Sequence, residues 1–229
     1  MELKRRAILL GLAAALVPAV PLAQDADVDL ALVLAIDCSF SVDAREFRLQ
    51  MEGLANALMR EDVKTAIRRG PAGRIAVIAV QWSDEMNQRA IIPWTIVASD
   101  ADADALGLAL FAMPRRLAEG GTSISAALRF SGALFASAPK AARQVIDVSS
   151  DGRNNIGIPV SVVRDHLVAQ GITINGLAIL NEWPTLDIYF ENSVVGGQAH
   201  FVMPANDYAA YGEAIYRKLL REITGPGIS

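Results

Sequence analysis

The sequence predicts an α/β fold: a three-layer, doubly wound, mostly parallel sheet of six strands. Three observations point there. Strand-like and helix-like segments alternate along the chain, the pattern of a parallel sheet with helices on both faces. The main strand candidates are apolar throughout rather than alternating, as strands covered on both faces are. One candidate, residues 90–97, carries Pro93, which removes a ladder donor and demotes it to an edge.

The elements follow in order. Asp25, Asp27 and Asp29 form a short acidic lead-in that reads as solvated. Residues 30–36 (LALVLAI) are the first strand, ending at Asp37. Residues 43–68 carry helical spacing through Phe47, Met51, Leu54, Leu58 and Val63. Asp43 with Glu46 three residues later forms a capping-box pattern at its start. Gly70-Pro71-Ala72-Gly73 is a turn, and residues 75–80 are the second strand. Residues 100–111 read as a helix with aspartates in its first turns, where the helix dipole favours them. Residues 123–137 are a helix closed by Pro139, and residues 145–149 a strand that leads to Asp151. A helix over 159–170 stops at Gly171. A strand over 172–179, a short helix over 186–195, a strand over 199–203 and an amphipathic helix over 208–223 complete the chain. One domain over 28–224 is expected, with no internal repeat or linker.

Residues 1–24 read differently. Lys4, Arg5 and Arg6 precede an uncharged, almost wholly apolar run over 7–20, and Pro18 and Pro21 break any helix there. This is the layout of a secretory signal peptide, and the run is short for a bilayer span. Cleavage is expected between Ala23 and Ala26, releasing a periplasmic or extracellular protein with no stable membrane insertion.

Composition narrows the chemistry. The 229 residues hold one Cys and two His, and the formal charge is −4. One cysteine excludes an internal disulfide framework. So few soft ligands cannot build a Cys/His zinc cluster. An acidic chain lacks the basic face of a nucleic-acid binder. No Gly-x-Ser-x-Gly elbow, Walker loop or Gly-x-Gly-x-x-Gly opens a helix. His166 and His200 have no serine or acid paired with them by any motif. The runs Asp25/Asp27/Asp29 and Asp100/Asp102/Asp104 lack the Gly and Glu of a calcium loop. Arg68-Arg69 and Arg115-Arg116 read as solvated helix ends. Trp82 and Trp183 fall near strand ends and read either as a partner rim or as packing.

Ligands of parallel sheets bind beyond the carboxyl ends of the strands. There the sequence places Asp37-Cys38-Ser39-Phe40-Ser41, then Gly120-Gly121-Thr122-Ser123, then Ser149-Ser150-Asp151-Gly152. Alternate residues leaving a strand project the same way, so Asp37, Ser39 and Ser41 can converge, with Cys38 turned away as buried filler. Carboxylates and hydroxyls are hard ligands that suit Mg²⁺, Mn²⁺ or Ca²⁺.

Asp37-x-Ser39-x-Ser41, then Thr122, then Asp151-Gly152 resemble, in order and context, the metal-ion-dependent adhesion site (MIDAS) of von Willebrand factor A domains. The resemblance spans nearly the whole exported chain. It implies a Rossmann-like six-stranded sheet with one antiparallel edge strand and about six helices. It also implies a metal held by Asp37, Ser39, Ser41, Thr122 and Asp151. The chain is similar as well to uncharacterised secreted bacterial proteins of A-domain type, which brings no known activity.

The function expected on these grounds is a non-enzymatic, monomeric, protein-binding module. Its divalent metal, Mg²⁺ or else Mn²⁺ or Ca²⁺, would capture an Asp or Glu carboxylate of a partner. The alternatives are a metal-dependent hydrolase of phosphates or esters, and an envelope assembly factor with a purely structural metal.

Overall fold

The computed structural model describes residues 27–225. The signal peptide expected over 1–24 lies outside the described residues. The sheet has six strands in the order β3-β2-β1-β4-β5-β6. These are β1 (Val28–Asp37), β2 (Ile75–Trp82), β3 (Gln88–Val97), β4 (Ala141–Ser150), β5 (Thr173–Ile179) and β6 (Val202–Ala205). Every pairing is parallel except that of β2 with the edge strand β3. The helices are α1 (Ala44–Leu58), α2 (Glu61–Arg69), α3 (Asp100–Phe111), α4 (Ile124–Leu134), α5 (Val160–Ala169), α6 (Leu186–Tyr189) and α7 (Tyr211–Thr224).

The unbroken apolar run of β1 builds two cores at once. Leu30, Leu32, Leu34 and Ile36 pack towards α1, α2, α3 and α7. Ala31, Val33 and Ala35 pack towards α4, α5 and α6. Each buried Leu or Ile contributes about 1.5–3 kcal/mol relative to exposure, so a polar residue on either face would be costly. The small alanines on the second face let α4 lie close to the sheet.

Several expected boundaries move. The helix expected over 43–68 is two helices, broken at Arg60, whose backbone is extended (φ −70°, ψ 140°). Contacts from α7 fix the break. The Arg60 guanidinium stacks 3.6 Å from the Tyr216 ring, and the Tyr216 hydroxyl donates to Asp62. The strand expected over 199–203 forms instead over Val202–Ala205. Ala199 sits in a turn at φ 55°, and the ring of His200 bonds the Gly197 carbonyl. The last helix begins at Tyr211, three residues later than expected. The short helix expected over 186–195 is α6 followed by a π-helical turn over Phe190–Val194. Pro93 behaves as an edge proline should. The β2–β3 register shifts there, so that Pro93 and Trp94 together face Ile78, a bulge.

Asp29 also departs from expectation. It lies inside β1, and its carboxylate accepts the backbone N–H groups of Ala72 (2.8 Å) and Arg74 (3.4 Å). It therefore ties down the turn before β2. Gly70 leaves room for it, since a Cβ there would meet the Asp29 carboxylate.

The strand order reverses direction between β1 and β4. The chain leaves β1 towards β2 on one side and leaves β4 towards β5 on the other. Such a switch point opens a crevice beyond the carboxyl ends of the two strands. Asp37 and Ser150 end β1 and β4 there.

Candidate metal centre

All five residues singled out in the sequence come to this crevice. Asp37, Ser39, Thr122 and Asp151 are buried, and Ser41 is half-buried at its mouth. The Ser41 hydroxyl donates to Asp151 Oδ1 at 2.7 Å and lies 3.3 Å from the Ser39 hydroxyl. Asp37 Oδ1 accepts the Ser39 backbone N–H at 2.7 Å, and Asp37 Oδ2 accepts the Ser150 hydroxyl. Thr122 lies against Asp151-Gly152: a Cβ on Gly152 would sit 3.4 Å from Thr122 Oγ1. Three loops from distant parts of the chain thus bring two carboxylates and three hydroxyls together.

The electrostatics of this set are unbalanced. No ion pair to Asp37 or Asp151 exists among the described residues, and Asp151 Oδ2 has no hydrogen-bond partner. Burial, and then the charge of Asp151, push the Asp37 carboxyl up to about 7. Burial also raises Asp151. Two buried carboxylates side by side disfavour each other's ionised form. Tyr208, in the turn before α7, brings its buried phenol to the same carboxylates, and burial with their charge holds it protonated. Among the described residues, no three His, Cys, Asp or Glu gather as a metal cluster. The set here is of another type, two carboxylates completed by hydroxyls. Its donors and its orphaned oxygen fit a hard divalent cation.

The supports of the site were less visible in the sequence. Arg115 is no solvated helix end: its half-buried guanidinium donates to the carbonyls of Val42 (2.7 Å), Cys38 (2.6 Å) and Ser39 (3.1 Å). It pins the loop that presents Ser39 and Ser41. Asn155 holds Thr122 from both sides, its Oδ1 accepting the Thr122 N–H and its own N–H donating to the Thr122 carbonyl, each at 2.9 Å. Asn154 Oδ1 accepts the N–H of Ser125, and Ser123 caps α4. Gln50 of α1 donates to the Asp37 carbonyl at 3.1 Å. The single available signal was the pair Asn154-Asn155 directly after Asp151-Gly152. Nothing local marked Arg115.

The remaining candidates separate cleanly. Cys38 faces the core beside α1 and α7, and burial and Asp37 push its thiol up to about 12. Trp82 is wholly buried in the second core, whereas Trp183 is exposed near the site. His166 pairs with Gln170 at the end of α5, and the His200 ring bonds the Gly197 carbonyl at 2.8 Å with Glu191 at 3.9 Å. Asp102 forms a capping box with Ser99, while Asp100 and Asp104 pair with Arg68 and Lys64. The capping box of Asp43 and Glu46 is present at α1.

The sheet order, the antiparallel edge and the loops at the switch point define a von Willebrand factor A-type fold. The chain belongs to the family described as "Protein of unknown function (DUF1194)", whose profile matches residues 27–227. Among curated proteins no match is found. Solved structures share the fold at low identity. Proximal thread matrix protein 1 from the mussel byssus superposes with a TM-score of 0.63 at 17% identity, over 87% of this chain and 49% of its own. A further structure of that protein is described as having a zinc-occupied MIDAS motif. The pilus adhesin SpaC of Lactobacillus rhamnosus GG gives 0.61 at 14% identity, over 86% of this chain and 30% of its own. A von Willebrand factor type A protein from Catenulispora acidiphila gives 0.54 at 18% identity, over 86% and 43%. The chain spans half or less of these proteins. No described helix is long and apolar enough to cross a membrane.

Proposed function

We propose that this protein is an exported protein-interaction module that binds a divalent cation, Mg²⁺ foremost, through Asp37, Ser39, Ser41, Thr122 and Asp151. The cation takes an Asp or Glu carboxylate from a protein partner. One observation carries this reading: two fully buried carboxylates meet at a sheet switch point with no cation beside them among the described residues. Removing charge from water is costly unless it is paired, and a divalent ion balances both groups. With neutral hydroxyls as the other donors, the ion keeps affinity for one more anion. The zinc-occupied motif of the mussel protein supports a divalent ion in a site of this kind.

Neither histidine faces this crevice, so the described residues offer a metal-bound water no imidazole base. That favours binding over hydrolysis. The test is thermal melting of the exported chain with and without Mg²⁺ or Mn²⁺. Metal is expected to raise the melting temperature of the native chain and leave Asp151→Ala unmoved. An identical melting temperature with and without metal in the native chain overturns the reading.

A further inference from the structure

Loops around the candidate centre carry five of the ten exposed large apolar side chains among the described residues, including the two most exposed. Phe40 is 76% exposed, Met86 87% and Trp183 46%, and Ile156 and Ile158 are exposed as well. These five come from four separate loops of the sequence, yet they share one face. The Phe40 N–H bonds the Gly120 carbonyl at 2.8 Å. A Cβ on Gly120 would meet the carboxylate of Asp84, which accepts the Met86 N–H at 2.9 Å. Gly121 lies against Ile156, and Gly157 against Glu85. Arg153, two residues beyond Asp151, stacks 5.1 Å from the Trp183 ring. The loops that carry these apolar groups therefore meet beside the loops that present Ser39, Thr122 and Asp151.

The same rim is acidic. Asp84 and Glu85 line it on the β2–β3 side. Asp43, Glu46 and Glu182 line it on the α1 side, where burial, and then the charges of Asp43, Asp151 and Glu182, raise the Glu46 carboxyl. Arg153 is a cation on this rim, and it is spread over the rings of Trp183 and Tyr189 and bonded to Thr185. A partner segment rich in acids would be repelled by this fringe, while one with Lys or Arg beside its carboxylate would be attracted. Exposed apolar side chains rimmed by polar ones mark interaction sites, and aromatic residues and methionine are enriched in interface cores.

We propose that the partner is a protein segment in which one Asp or Glu stands alone, framed by apolar side chains and by Lys or Arg. The apolar frame packs on Phe40, Met86, Ile156, Ile158 and Trp183, and the basic residues meet the acidic fringe. This proposal rests on the metal-dependent reading above. It adds that the metal supplies the anchor and the rim supplies the selectivity.

The test is selection of phage-displayed random short peptides on the exported chain loaded with Mg²⁺, alongside the melting measurement. The selected peptides are expected to carry a lone acid with apolar and basic neighbours and to elute with EDTA. Changing that acid to its amide should abolish binding. Met86→Ser combined with Trp183→Ser should weaken the best peptide at least about tenfold and leave the Mg²⁺ melting shift intact. An intact melting shift with selected acidic runs, with no metal-dependent peptides, or with affinity unchanged in the double variant overturns this proposal and spares the metal reading. Absence of the melting shift together with EDTA-insensitive peptides overturns both.

Discussion

Lys218 Nζ lies 2.6 Å from Asp147 Oδ1, with both residues buried between α7 and the sheet. The same ammonium lies 2.6 Å from Glu222 Oε1, which also accepts Asn175 Nδ2 at 2.9 Å. One cation thus joins α7 to β4, and Asn175 extends the link to β5. Removing the cation leaves two buried carboxylates uncompensated. Lys218→Met should therefore cost about 3–5 kcal/mol of folding stability in urea denaturation. Replacing Lys218, Asp147 and Glu222 together by apolar residues should recover most of that loss, because the desolvation cost disappears with the charges. A loss below about 1 kcal/mol for the single variant would contradict this account.

The same cluster gives a pH signature. Burial, then the charge of Asp147, push the Glu222 carboxyl up to about 7, against the opposing pull of Lys218 and Asn175. An ordinary glutamate value of 4.5 applies once the chain unfolds. Between these values the native state holds a proton that the unfolded state has lost, so this group's contribution falls as pH rises through the window. Asp37 acts with the same sign between 3.8 and about 7. In metal-free protein, Glu222→Gln should gain stability relative to the native chain as pH rises from 4.5 towards 7. Added Mg²⁺ should flatten the Asp37 share alone, since a cation favours its carboxylate. Urea midpoints across this range measure both, and a difference that shrinks with rising pH would reject the assignment.

The sheet was legible because its strands are apolar on both faces, and the site because Asp37-x-Ser39-x-Ser41 and Asp151 stand at strand ends where ligands bind. Local pattern could not show where α7 would press. The break at Arg60 depends on Tyr216, 156 residues further along. The late start of β6 follows from the turn at Ala199, an alanine with positive φ that no sequence rule expects. The aspartate lead-in looked solvated because the turn at Ala72 and Arg74 that it bonds is remote in sequence. Arg115 was misread for the same reason: its three acceptors are carbonyls more than 70 residues away, and carbonyls carry no residue identity.

Arg115 yields a sharp contrast with its neighbour. Its fork holds three carbonyls of the loop between β1 and α1, while Arg116 is exposed. Hydrogen bonds that involve a charged group contribute about 1.5–3 kcal/mol each net of competition with water, and less where, as at this half-buried guanidinium, water can take the donor's place. Arg115→Met should fold, lose about 2–3 kcal/mol and lose most of the Mg²⁺-dependent melting shift, because Ser39 and Ser41 are no longer held. Arg115→Lys should not rescue it, since an ammonium cannot span the acceptors that the planar guanidinium reaches. Arg116→Met should match the native chain in both readouts. Equal effects of the two methionine variants would remove Arg115 from the site's support.

Gly53 and Gly212 face each other where α1 crosses α7, and the two glycines are not equivalent. A Cβ on Gly53 would lie 2.8 Å from the Tyr211 ring and 3.1 Å from the Gly212 Cα. A Cβ on Gly212 would meet nothing nearer than the Gly53 Cα at 3.9 Å. Helix propensity alone favours alanine at either position by up to about 1 kcal/mol. Gly212→Ala should realise that gain. Gly53→Ala should instead be destabilising, because the buried Tyr211 ring and the α7 backbone must move, and overpacking of this kind costs about 1–3 kcal/mol. Urea denaturation of the two variants separates the cases. Equal stabilisation of both would mean that the α1–α7 contact yields freely, and α7 would then be a loosely seated helix rather than one clamped by Gly53 at one end and by Lys218 towards the other.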